Sequence, residues 1–234
     1  MKKIINLILI LLLVITVTGC EKKESKPTDA ERFKEEYESL NNQTREKDGK
    51  KIRSLSIPKD NPMIYKTAEE VSKMMDKKET FLVYFGFKDC PWCRSVVEEL
   101  IHVAKDKNIG RIYYVDVKEI RDIKEVTEDG KIETTTEGSK GYYELLEKLD
   151  NVLDNYTLYD KDEKEITDGK RIYAPNVVAI SEGKAIKLVT GESEGLEDPY
   201  QELTDKMRKS TYKKFECLID CLEKESKTCK KNSC

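Results

Sequence analysis

Apolar positions along the chain fall into three kinds of run, and each predicts a different element. The first is Ile4 to Val17, almost unbroken, with Asn6 and Thr16 its only polar members. The second kind is short and rich in β-formers: Thr80 to Gly86, Ile112 to Val117, and Arg171 to Ile180 followed by Ala185 to Val189. These read as strands, and the turn Ser181 to Lys184 makes the last two an antiparallel hairpin. The third kind recurs at helical spacing. It holds Val96, Val97, Leu100, Ile101 and Ala104 after Cys93. Further on it holds Leu145, Leu146, Leu149 and Leu153 within Tyr142 to Leu153. Last come Leu203, Met207 and Phe215 in a long helix from Pro199 to about Glu223. Thr67 with Glu70 three residues later is a capping box that opens another helix through Met75. Gly110 is expected to end the helix after Cys93. The order strand, helix, strand from Phe81 to Val117 predicts a parallel crossover.

Polar stretches divide these elements. Glu21 to about Lys51 is dominated by charged and small polar residues and reads as a tether, with a short helix over Ala30 to Leu40 that carries Phe33, Tyr37 and Leu40 on one stripe. Order is expected from Ile52, with a loop at Pro58 and Pro62. Asp122 to Gly141 is polar and reads as an insertion. The expected organisation is a signal segment 1–19, a tether 20–51, an α/β domain 52–212 with an insertion at about 122–165, and a cysteine-bearing helical tail 213–234.

Composition adds the compartment. Lys+Arg is 43 and Asp+Glu 46, a net charge of −3, which argues against a nucleic-acid binder with its basic face. There are seven cysteines, an odd number, and the odd one sits at the end of the first apolar run. Lys2 and Lys3, the run, and Thr18-Gly19-Cys20 form a secretory signal pattern. Val17-Thr18-Gly19-Cys20 resembles the lipobox of bacterial lipoproteins, which implies cleavage after Gly19 and lipid on Cys20. The alternative is an uncleaved anchor, for which the run is short against a span of about 20 residues. Both place the remainder outside the cytoplasm, attached to a membrane, where disulfides persist.

The other six cysteines fall as Cys90 with Cys93, and as Cys217, Cys221, Cys229 and Cys234. A C-x-x-C between a strand and a helix reads as a redox motif. Cys90 stands just before the helix, where unpaired N–H groups and the dipole favour an anion and lower a thiol pKa from about 8.5 to roughly 3.5–7.5. Cys93, one turn on, is the resolving thiol. Pro91 suits the first turn because its missing N–H costs nothing there. Trp92 reads as a substrate-docking ring, or simply as a large side chain beside the site.

Phe81 to Cys93, the helix after it, Tyr113 to Asp116, and Tyr173-Ala-Pro-Asn-Val-Val-Ala-Ile180 with Gly183-Lys184 resemble the thioredoxin superfamily, over about Pro58 to Gly191. The nearest likeness is to the thioredoxin-like lipoproteins and bacteriocin-transport-accessory-type proteins of Gram-positive bacteria. The resemblance implies a thioredoxin-like three-layer α/β sandwich with a mixed sheet, here with a helical insertion and a disulfide-bearing tail. It also implies a cis-proline at Pro175 facing the cysteines, and Ala174 presenting backbone groups to a substrate strand. The chain departs from the family pattern at three places. Tyr84 replaces the buried acid six positions before the first cysteine. Asp89 replaces the usual Trp, and the dipeptide is Pro-Trp, so redox direction is not inherited.

The expected function is membrane-anchored thiol–disulfide exchange on protein substrates. It needs no organic cofactor and draws on a membrane electron donor or acceptor. A non-enzymatic accessory lipoprotein that binds an export or bacteriocin-processing partner is the competing reading; a purely structural lipoprotein leaves the Pro-Trp dipeptide without a reason. The C-x-x-C alone is also compatible with a structural disulfide or half a zinc site. The single histidine, His102, falls off the apolar stripe of its helix and reads as exposed, so no metal is expected. Tyr84 reads as core, and Asp116 as solvated surface. The four tail cysteines allow three pairings; the nested one, Cys221 with Cys229 and Cys217 with Cys234, is favoured. They read as a staple, or as a relay to Cys90 and Cys93.

Overall fold

A computed structural model describes residues 26–223. Cys20 and its lipobox, Cys229 and Cys234 lie outside the described residues. The chain begins with helix α1 (Asp29–Glu38), capped by Thr28, whose side chain and Glu31 satisfy one another's backbone N–H groups. Strand β1 (Met63–Tyr65) and helix α2 (Ala68–Asp76) follow, α2 opened by the expected Thr67/Glu70 capping box. Then come β2 (Phe81–Gly86), α3 (Pro91–Asp106) and β3 (Ile112–Asp116). The region 122–171 holds a hairpin of β4 (Ile123–Val126) and β5 (Ile132–Thr136), helix α4 (Lys140–Leu149), and a second hairpin of β6 (Asp154–Tyr159) and β7 (Glu165–Arg171). Strands β8 (Asn176–Ser181) and β9 (Lys184–Val189) and helix α5 (Asp205–Glu223) complete it.

The main sheet is mixed, in the order β1-β3-β2-β8-β9. β1 and β2 run parallel to β3, whereas β8 is antiparallel to both β2 and β9. Every residue of the central strand β2 is buried, and its side chains alternate between two cores. Leu82 and Tyr84 face a core built with α1, α3 and α5. Phe81, Val83 and Phe85 face a core built with α2 and α4. The protein is thus an α/β structure with helices on both faces of a five-stranded sheet.

Several elements differ from the sequence expectation. Helix α1 belongs to the body, because Phe33 and Tyr37 are fully buried against β3 and β2. That stretch of the segment read as a tether is therefore core. The insertion is not simply helical: hairpins flank α4. The β5 run Ile132-Glu-Thr-Thr-Thr136 is rich in β-branched residues, and Gly130 makes the turn before it at φ +78°. Helix α3 stops at Asp106 rather than near Gly110, since Asn108 takes the left-handed turn at φ +55° and Ile109 N–H closes on the Ala104 carbonyl at 2.8 Å. Helix α5 starts at Asp205 rather than Pro199, because Thr204 accepts from the Met207 N–H at 3.3 Å and serves as its cap. It continues through 212/213, with Phe215 and Leu218 in the same core as α3.

One charge ties the N-terminal stretch to this body. Arg94, 2% exposed, sits one residue past Cys93. Its guanidinium donates only to neutral oxygens: the carbonyls of Tyr37 (2.8 Å), Arg53 (2.6 and 2.8 Å) and Lys88 (3.0 Å), and Asn41 Oδ1 (3.1 Å). It thereby joins α1, the segment after it and the loop before Cys90. Arg94→Met is expected to lower stability by about 3 kcal/mol, because the carbonyls of Tyr37, Arg53 and Lys88 lose a charged donor. Urea denaturation of the full chain measures this, and a loss under about 1 kcal/mol would show the cage to be incidental.

Candidate functional site

The site is built where the buried strand β2 hands over to α3. Cys90 is the N-cap of α3 and Pro91 its first residue. The helix start leaves few donors unused. Pro91 has none, the Cys93 N–H points at Cys90 Sγ at 3.2 Å, and the Arg94 N–H binds the Cys90 carbonyl at 3.1 Å. A sulfur thus does what a serine or aspartate oxygen does at other N-caps.

Both cysteines are free and buried, Cys90 at 3% exposure and Cys93 at 0%. Their thiols are tuned in opposite directions. A hydrogen bond from the Cys93 thiol lowers the Cys90 pKa most, and the backbone N–H groups of Cys93 and Trp92 and the charge of Arg121 add to it against the cost of burial. Burial pushes the Cys93 thiol well up, and the neighbouring Cys90 sulfur adds to that. Asp89, next in the chain to Cys90, would oppose a thiolate, but its carboxylate is paired with Lys118 at 2.6 Å.

Across from the cysteines lies the loop before β8. The Ala174–Pro175 peptide is cis, the geometry that the resemblance implied. In its protonated form the Cys90 thiol donates to the Ala174 carbonyl at 3.4 Å. Trp92 is half-buried and packs, like Phe87 and Ala174, on the core beneath the cysteines. The structure therefore brings Cys90, Pro91, Trp92, Cys93, Ala174 and Pro175 to one place.

Two residues of this site were missed by the reading above. Arg121, just before the first hairpin, stacks its guanidinium 5.1 Å from the Phe87 ring centroid. Arg94 could have been found, since it stands three and seven residues before Val97 and Ile101 and so on their buried helix face. Tyr84 is fully buried beneath Cys93.

Other expected features fall elsewhere. Cys217 and Cys221 lie one turn apart on α5, both engaged in disulfides. His102 is exposed on α3, 3.3 Å from Glu99. Among the described residues no group of three or more His, Cys, Asp or Glu side chains is arranged to hold a metal ion, and no helix is long and apolar enough to cross a membrane. A groove of about 580 Å³ opens beside the Cys90 loop, between Tyr65, Lys66, Lys88 and Asp116, and no cysteine lines it. Two of its charged groups, Lys66 and Arg32, are already paired with Glu70 and Glu36. No family model matches the chain, and no curated protein does either.

The opposite tuning has a direct readout. Thiolate reacts with iodoacetamide and thiol does not, so Cys90 modification should rise with pH through a midpoint below the ordinary value of about 8.5. Cys93 should stay unmodified over that range. Mass spectrometry of the reduced chain at a series of pH values measures both, and a Cys90 midpoint at or above the ordinary value would contradict this arrangement.

Proposed function

We propose that this chain is a thiol–disulfide oxidoreductase built on a thioredoxin-like domain. It acts outside the cytoplasm on protein thiols and disulfides and is anchored by lipid on Cys20. The observation that carries the reading is the pair of free cysteines across the first turn of α3, with Cys90 held as the better thiolate. A structural disulfide would have no use for that asymmetry, and a zinc half-site would need two further ligands.

In the reductive direction the Cys90 thiolate attacks one sulfur of a substrate disulfide. A Cys90–substrate disulfide forms, the substrate S–S bond breaks, and the departing sulfur leaves with the electron pair and takes up a proton. Cys93 then loses its proton and attacks Cys90 Sγ. The Cys90–Cys93 bond forms, the second substrate sulfur departs, and the protein is oxidised by two electrons. The oxidative direction reverses each step. The Ala174 carbonyl, 3.4 Å from Cys90 Sγ, stands where a substrate strand can pair with backbone. A membrane partner or small thiols return the protein to its starting state. The tail cysteines serve as a staple, a role favoured by the engagement of Cys217 and Cys221 in disulfides.

The test is exchange with a fluorogenic disulfide peptide, using the reduced full chain. Cys90→Ser should lower the rate by roughly a hundredfold or more, because the attacking thiolate is gone. Cys93→Ser should instead accumulate a mixed disulfide, visible as a mass increase equal to one peptide arm. A rate that Cys90→Ser leaves unchanged would overturn the proposal in favour of a binding accessory protein.

A further inference from the structure

Cys93 poses a problem that the exchange steps leave open. Its sulfur is fully buried and must become an anion to attack Cys90. A buried thiolate is costly unless something donates to it. The resemblance leads one to expect a carboxyl group beneath it, and the chain has Tyr84 there.

Tyr84 is placed for this by two features of the backbone. It lies on the face of β2 that looks at α3, in the core that contains Cys93. Gly86, two residues on, has no side chain, and a Cβ there would fall 2.5 Å from the Tyr84 hydroxyl. The glycine thus leaves the space that the hydroxyl fills, in the same core as Cys93, and donation from that hydroxyl lowers the Cys93 pKa. The Tyr84 hydroxyl is also 3.2 Å from the Tyr37 hydroxyl of α1, and either oxygen can be the donor in that bond. The third hydroxyl nearby, Tyr114, donates to the Gly86 carbonyl at 3.4 Å, and its oxygen is an alternative acceptor for Tyr37. Asp116 at the end of β3 acts on Tyr114, but among the described residues no carboxylate hydrogen-bonds to these three hydroxyls. Burial holds the Tyr84 and Tyr37 hydroxyls far above the ordinary phenol value, so neither can take a proton from a thiol.

The geometry points to a reversible hydroxyl pair. While Cys93 is a thiol, Tyr84 can donate to Tyr37. We infer that Tyr84 is the positioning residue of the resolving step, its hydroxyl turning to donate to Cys93 sulfur as that sulfur ionises, while Tyr37 turns to donate to Tyr84. Two hydrogens rotate and no proton is transferred to either tyrosine. The proton of Cys93 leaves with the departing substrate sulfur, and the two electrons end in that thiol. This inference rests on the oxidoreductase reading and assigns the part of Tyr84 and Tyr37 within it.

The probe is an aromatic disulfide that releases a coloured thiolate, mixed in excess with the reduced full chain. Attack by Cys90 releases the first coloured thiolate and resolution by Cys93 the second, and Cys93→Ser identifies the second phase by abolishing it. Tyr84→Phe keeps the ring and its packing and removes only the donor. It should slow the second phase about ten- to a hundredfold, the worth of one hydrogen bond to a charged group, and leave the first within about twofold. Tyr37→Phe should slow the second phase less, because Tyr84 keeps its own donor. The groups facing Cys93 are Cys90 at the start of α3, Tyr84 from β2, Tyr37 from α1 and Tyr114 from β3. With no carboxyl group in that set, Tyr84→Phe should move the pH profile of the second phase upward, because the thiolate has lost a donor. An unchanged second phase and pH profile in Tyr84→Phe, or equal slowing of both phases, would overturn the assignment. Absence of the first phase in the unaltered chain would overturn the oxidoreductase reading together with it.

Discussion

The first turn of any α-helix has N–H groups with no partner inside the helix, and in α3 a sulfur takes up that deficit. The consequences spread outward from this substitution of sulfur for oxygen. A cap that accepts hydrogen bonds is better when charged, so the helix start and the ionisation of Cys90 reinforce one another. Cys93, one turn along on the same side of the helix as the cap, is buried completely. The asymmetry between the two thiols arises from the hydrogen bond that Cys93 gives Cys90 and from the burial of Cys93 itself. Lys118, Arg121 and the loop at Ala174 refine it.

What keeps that helix start in place is burial on every side. β2 is central in its sheet, covered by helices on both faces, so the handover from Gly86 to Pro91 has little freedom. Arg94 then fastens the far side. The Arg94 guanidinium is held by the Tyr37, Arg53 and Lys88 carbonyls and Asn41 Oδ1, and its charge lies near the Tyr37 and Tyr84 hydroxyls. The same side chain that makes the N-terminal segment part of the fold thus stands beside that hydroxyl pair.

The sequence was most readable where burial is symmetrical or periodic. Phe81–Gly86 is buried on both faces and has the continuous apolar run of such a strand. Val96, Val97, Leu100, Ile101 and Ala104 announce a helix against a sheet, and Thr67 with Glu70 announces a helix start. Helix α1 was harder to weigh. Its sequence Asp-Ala-Glu-Arg-Phe-Lys-Glu-Glu-Tyr-Glu has two large apolar residues, four apart, among charges that point to solvent. Those two suffice because both are aromatic: Phe33 stacks on Tyr37 at 4.4 Å and meets Tyr114 edge-on at 4.9 Å. The hairpins β4–β5 and β6–β7 have strands largely open to water, so their polar sequences carry little period to read. The two cysteines and the loop at Ala174 could be placed together from the motif and the resemblance. Arg121 could not, because nothing local to it says which loop it will lie against.

If Cys20 carries lipid, the inclusion of α1 in the core changes the mechanics of the whole assembly. A tether reaching to residue 51 would let the folded body roam a hemisphere about 100 Å in radius at full stretch. With Thr28 already fixed as the cap of a packed helix, the leash from Cys20 is about 28 Å at most. Given a lipid at Cys20, the thiol pair would patrol a thin layer above the bilayer. Under the proposed function it would then meet polypeptides that emerge or dwell at the membrane surface rather than those that have diffused away, so reach would set part of its choice of substrate.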